Sequence, residues 1–337
     1  MRLSEGTTNG DEHVSAEVEA TATDLAIDLV GYASTSDLEQ RLDTRHRPST
    51  LSPEARTLIV LGKRTLRGVL WAKHLPSKQL AGGRTLRALE FAAERIAFDL
   101  ERRGALALPV SPASLDFEKR TPGDLLPAGQ GSPLLREGAV LAGLGTLGLN
   151  RMVLTPEYGP RAFFAGVLTS AEIAPGGALD EELCLGLEEC GRCAAICPAD
   201  AIPRRAPRGA RLTAIRGLDE GACARSCQPF GFDAFSDHLA SIFEARTGDE
   251  MWQRMRGRKS GEIWSEMAMM KEAALTGCSE CVQVCPVGRD YERLSASTHR
   301  RHDLPDRLPR RETGGFVEIE NLGPQIRRRT TWEQERR

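Results

Sequence analysis

The sequence predicts an α+β fold in two unlike parts. A sheet with flanking helices occupies residues 15–178, and a cysteine-rich module occupies residues 179–295. Three observations carry this. Short apolar runs bounded by Pro and Gly punctuate the first half. Between them lie stretches with apolar residues at helical spacing. The nine cysteines all fall in the second half of a 337-residue chain.

The elements follow in order. Residues 1–14 are polar and are expected to be disordered. From Ser15, the spacing Val18, Ala22, Leu25, Leu29 predicts a helix closed by Gly31. The run beginning at Thr57 predicts a short buried strand. Leu86, Leu89, Ala93, Ile96 and Leu100 share one face of a helix predicted over residues 85–103, stopped at Gly104. ALALPV after it predicts a strand. Residues 152–155 and 163–169 predict a strand pair around the turn TPEYGPR. The sheet is therefore expected to be mixed or antiparallel. Residues 228–277 are expected to be largely helical. Residues 296–337 form an Arg-rich polar tail, expected to be solvated and loosely packed.

Two segments share one cysteine spacing. Cys190, Cys193, Cys197 and Pro198 form C-x2-C-x3-C-P, and Cys278, Cys281, Cys285 and Pro286 repeat it. Thiolates at this spacing hold cubane iron–sulfur clusters, and the last Cys of each run reaches across to the other cluster. Zinc also uses paired C-x2-C motifs, but needs neither the third Cys nor the Pro. Disulfides are excluded by the expected cytoplasmic location, which follows from the lack of a secretory or twin-arginine leader. Two [4Fe–4S] clusters need eight thiolates. The usual ferredoxin run would place a Cys at position 187, where Leu187 stands, and Cys184 is the expected substitute. Cross-ligation then groups Cys184, Cys190 and Cys193 with Cys285. It groups Cys197, Cys278 and Cys281 with either Cys223 or Cys227.

A second informative segment runs from Ala142 to Arg151. Gly143, Gly145 and Gly148 have a G-x-G-x-x-G spacing, but they follow a helical run rather than a strand. No acidic residue sits where a dinucleotide ribose would need one. Net charge is −2, so nothing marks a nucleic-acid or membrane surface. No apolar run reaches the length of a membrane span. The six His are scattered. His74 and His238 are read as surface or cap residues.

Taken together, AGLG-x-x-G-x-N, TPEYGPR, a strand ending in VLT and the paired cysteine runs resemble the epoxyqueuosine reductase family. The combination is also similar to the cobalamin-dependent reductive dehalogenases. The resemblance covers residues 55–290. It implies a nitroreductase-like, cobalamin-binding first domain and a two-cluster ferredoxin domain passing electrons to a corrinoid. It implies corrinoid contacts from Gly143, Gly145, Gly148, Asn150 and Arg161. Leu218-Asp219-x-x-x-Cys223 matches the family's middle ligand, which favours Cys223 over Cys227. An external donor of ferredoxin or flavodoxin type and a small-molecule substrate are the implied partners. The family's proton-donating Asp is missing: Gln130-Gly131-Ser132-Pro133 stands there, and Asp124 is too early. Epoxyqueuosine is therefore not the expected substrate, and Tyr158 and Glu157 become the candidate proton donors. An electron-transfer protein without a corrinoid and a flavin reductase are the alternative readings.

Overall fold

A computed structural model describes residues 7–72, 75–112, 132–215, 217–227, 232–261, 263, 278–293, 304–305 and 307–324. Asp124, Gln130, Gly131 and His74 lie outside these residues, as does the side chain of Cys227.

The first part opens with α1 (Thr7–Asp24), β1 (Leu29–Ser34), α2 (Thr35–Arg41) and α3 (Pro48–Leu51). Then come β2 (Thr57–Arg64), α4 (Arg67–Trp71), α5 (Leu75–Glu101), β3 (Ala107–Val110) and α6 (Pro133–Leu141). It closes with β4 (Thr146–Leu147), β5 (Val153–Leu154) and β6 (Ala162–Thr169). The main sheet has the order β1-β2-β6-β3, and every pairing is antiparallel.

The central strand β2 shows why both faces are covered. Its apolar run alternates between two cores. Ile59 and Leu61 pack with Leu89, Ala93 and Ile96 of α5. Leu58 and Val60 pack with Leu134 and Leu135 of α6 and with Leu38 of α2. A strand buried on both faces reads as a continuous hydrophobic run, and its period of two distributes that run between the layers.

Three expectations are corrected here. Residues 7–14, expected to be disordered, open α1. That helix ends at Asp24, and Gly31 lies inside β1. The strands on either side of TPEYGPR do not pair with each other. β5 pairs with β4, and β6 pairs with β2 and β3. The turn closes on itself through a Thr155–Gly159 bridge and leaves both flanking strands free for other partners.

The second part carries short elements around the cysteines: α7 (Gly186–Glu189), α8 (Arg192–Ile196), β7 (Arg205–Pro207), α9 (Leu212–Ile215) and α10 (Glu220–Cys227). The stretch expected to be helical contributes α11 (Phe232–Phe243) and α12 (Gly248–Arg256). α13 (Glu280–Gln283) is followed by β8 (Arg310–Thr313) and β9 (Phe316–Ile319). The tail is not simply a solvated segment. β9 pairs with both β7 and β8, and Leu304, Leu308 and Ile319 are buried with Leu187, Ile196 and Ile202. Alternate residues of β9, Val317 and Ile319, face inward, so one face of a short strand suffices to seal this core. Leu187, at the position of the missing cysteine, is a core residue of this cluster.

Candidate metal centre

The cysteines converge from four short helices and their flanks. α8 carries Cys193 and ends at Cys197, while α13 carries Cys281 and is followed by Cys285. The two helices pack together. Each therefore presents its internal Cys on one side and its following Cys on the other. Cys184 and Cys190 flank α7, and Cys223 lies on α10.

This packing forms two adjacent cavities. The walls of the first include Cys197, Cys223, Cys278 and Cys281. The walls of the second include Cys184, Cys190, Cys193 and Cys285. The cysteines are thus brought together in the crossed grouping that the spacing predicts. The first cavity is larger, at about 80 Å³ against about 20 Å³, and also touches Thr65, Leu70, Met152 and Phe163 of the sheet part. The eight described cysteines are free thiols, with no disulfide among them.

Burial dominates their electrostatics. It holds the Cys193 and Cys281 thiols well above the ordinary range, with neighbouring cysteines adding to the shift. It pushes Cys285 up to about 12, against the opposing pull of the Val287 N–H and the Arg161 cation. Four such thiols in one pocket are costly to ionise without a cation between them. A bound metal reverses that preference by deprotonating its thiols outright. Among the described residues, no three His, Cys, Asp or Glu side chains are set to hold a single metal ion. Each sulfur quartet borders a cavity instead, which suits a cluster of several atoms better than one tetrahedral zinc.

The glycine-rich segment packs against the chain itself. A Cβ on Gly145 would stand 2.1 Å from the Leu154 carbonyl oxygen. On Gly143, which has φ +73°, it would meet the Gly177 carbonyl oxygen at 2.5 Å, and on Gly148 the Asn150 Oδ1 at 2.8 Å. Protein fills the space beside all three glycines. Packing within the chain accounts for them without a macrocycle. Gly145→Val is accordingly expected to break the β4–β5 pairing and cost about 1–3 kcal/mol. A thermal melt of the variant, in the absence of any added ligand, checks this.

Arg161 is neither solvent-facing nor available to a corrinoid. It is 1% exposed. Its Nε and Nη2 donate to both oxygens of Asp290 at 2.9 and 2.7 Å. Nη1 donates to the Cys285 carbonyl at 2.9 Å, and Nη2 to that of Val287 at 2.5 Å. Arg161 thus fastens the Cys285 loop to the start of β6.

Glu157 and Tyr158, the candidate proton donors, border neither cavity. Glu157 pairs with Arg289 at 2.6 Å. The Tyr158 backbone N–H donates to Thr155 Oγ1, and burial followed by the Asp28 charge raises its phenol pKa. The whole TPEYGPR turn is a docking surface for residues 287–290. Gly159 and Gly288, both with positive φ, let the two loops approach. A Cβ on Gly159 would sit 2.0 Å from the Val287 carbonyl oxygen.

Asn150 is the one member of the implied corrinoid set that lines both cysteine cavities. It is 3% exposed. Other contacts had no signal in the sequence. Buried Lys78 of α5 donates to Ser279 Oγ at 2.5 Å, beside Cys278, across 201 residues of chain. Gln283 donates to the same oxygen and to the Leu70 carbonyl. His238, read as a surface or cap residue, is buried in α11, and neither ring nitrogen has a hydrogen-bond partner among the described residues. Among the described residues, no helix is long and apolar enough to cross a membrane.

No family model matches the chain. Over 80 residues it is 40% identical to a tetrachloroethene reductive dehalogenase of Dehalobacter restrictus. It is 39% identical over 80 residues to one from Desulfitobacterium hafniense. Each match covers 23% of this chain and 14% of the dehalogenase, so it spans only a small part of those relatives. Among solved structures, an epoxyqueuosine reductase from Streptococcus thermophilus is 16% identical with a TM-score of 0.46. That match covers 82% of this chain and 66% of the other. A reductive dehalogenase, whose structure is described in terms of B12-dependent dehalogenation, is 15% identical with a TM-score of 0.49, over 84% and 39% of the two chains. The chain resembles proteins of the epoxyqueuosine reductase and reductive dehalogenase kind.

Proposed function

We propose that the chain is an oxidoreductase that binds two [4Fe–4S] clusters in crossed ligation and carries electrons from an external low-potential donor towards an electrophilic small molecule. One observation carries this reading: two adjacent cavities, each walled by four cysteines drawn from both sequence motifs. Bound there, the clusters would supply one-electron storage and transfer. Cys184, Cys190, Cys193 and Cys285 would hold one, and Cys197, Cys223, Cys278 and Cys281 the other. Arg161 holds the Cys285 loop in register, and Lys78 and Gln283 do the same for Ser279 beside Cys278. Cys184, Cys193, Cys223 and Cys281 pack against the apolar core formed by Leu187, Ile196 and Val284.

The relatives named for reductive dehalogenation suggest the reaction class, removal of a leaving group by two electrons and a proton. A corrinoid would be the group that performs it, but the residues assigned to one are engaged elsewhere, and no step is derived through it. That observation favours a second reading, a relay handing electrons to a partner protein. Gel filtration of the cluster-loaded protein after incubation with cobalamin separates the two. Co-elution supports the corrinoid reductase, and full separation supports the relay.

Crossed ligation has its own test. The pair Cys193→Ala and Cys285→Ala should together remove one cluster, about four of eight iron atoms. The pair Cys193→Ala and Cys197→Ala, from a single motif, should remove both. Iron per chain reads the difference, and equal losses from the two pairs would refute the crossing.

A further inference from the structure

We infer that Asn150 is a positioning residue that raises the reduction potential of the cluster held by Cys197, Cys223, Cys278 and Cys281. The inference rests on the two-cluster reading above. It begins from the orientation of one amide. Asn150 Oδ1 accepts from the Met152 backbone N–H at 3.2 Å. A backbone N–H can only donate, so the atom facing it must be the oxygen. The Asn150 NH2 group therefore points away from Met152 and carries two protons to give. Cys281 lies within reach of the Asn150 amide, and both line the first cavity. A thiolate sulfur is an acceptor, so the NH2 is the donor.

The position adds what the bond alone does not. Asn150 stands in the wall common to both cavities. The preceding residue serves the other quartet: the Leu149 N–H points at Cys184 Sγ, 3.4 Å away. Two consecutive residues thus address one sulfur in each cavity, the Asn150 side-chain amide on the side of Cys281. Hydrogen bonds to cluster sulfurs favour the more negative, reduced state and raise the potential. Asn150 would then raise the potential of the cluster it faces.

The test uses the full-length, cluster-loaded protein and its Asn150→Ala, Asn150→Ser and Asn150→Asp variants. Each is titrated with dithionite under anaerobic conditions and followed by EPR, with iron counted in the same samples. Ser and Asp both retain an oxygen able to accept from Met152, which preserves the turn. The expected result is full iron in every variant that folds, with one midpoint potential moved to lower values and the other unmoved. The shift should be largest for Asp, which replaces a donor with a negative charge. Full iron with neither potential moved would overturn the inference, as would equal movement of both. Loss of iron from all three variants, with wild type fully loaded, would assign Asn150 a purely structural role and overturn it as well. Wild-type protein without clusters would instead refute the two-cluster reading on which the inference stands.

Discussion

Arg161→Ala is expected to destabilise the protein by about 3 kcal/mol or more and to lose iron from the site that contains Cys285. Removing a buried cation leaves its partners desolvated and unpaired, which costs more than the intact pair contributed. Here the orphans would be the Asp290 carboxylate and the carbonyls of Cys285 and Val287. The Cys285 loop would lose its anchor to β6 at the residue that must face Cys184, Cys190 and Cys193. Arg161→Lys should fall in between, because an ammonium keeps the charge but cannot match the planar fork that spans a carboxylate and two carbonyls. Denaturant melts and iron analysis of the two variants check both parts. Wild-type stability with full iron in Arg161→Ala would show that the loop is held without it.

Metal removal is expected to have a still larger effect on one half of the chain. The cysteine-rich part is built from short helices and a small three-stranded sheet around its thiols, with Cys197 itself in the core. Ligand convergence and folding should be one event there, so stripping the clusters should unfold it while the antiparallel sheet and α5 persist. Hydrogen exchange before and after chelation reads this directly. Protection should vanish around residues 184–227 and 278–293 and remain across β2 and β6. Uniform loss across both halves would contradict it.

The grouping of cysteines was legible in the sequence because cluster ligation imposes short, fixed spacings, and crossing follows from the spacing itself. Cys184 could be chosen for the absent position 187 because the ligand count left few candidates. The central strand at Thr57 was legible because double-sided burial demands an unbroken apolar run. Its pairing partners were not, because antiparallel register is decided by contacts about a hundred residues away. The tail was misread for a related reason. β8 and β9 are short, and their inward residues gain a core only when β7 and the cysteine segment are already in place.

The glycines and Arg161 show the sharper limit. A Gly at a close approach signals that something lies against the backbone, but does not say whether it is a ligand or the chain itself. Gly145 faces Leu154, and Gly159 faces Val287. Arg161 meets Asp290 across 129 residues, a separation with no local pattern. Asn150, which the resemblance assigned to a corrinoid, lines both cysteine cavities.

The central claim is that these two cavities each hold one four-iron cluster. Iron and acid-labile sulfide per chain, measured on anaerobically purified and reconstituted wild-type protein, test it most directly. The account predicts about eight of each, with zinc absent. About four of each, or zinc in place of iron, would contradict it.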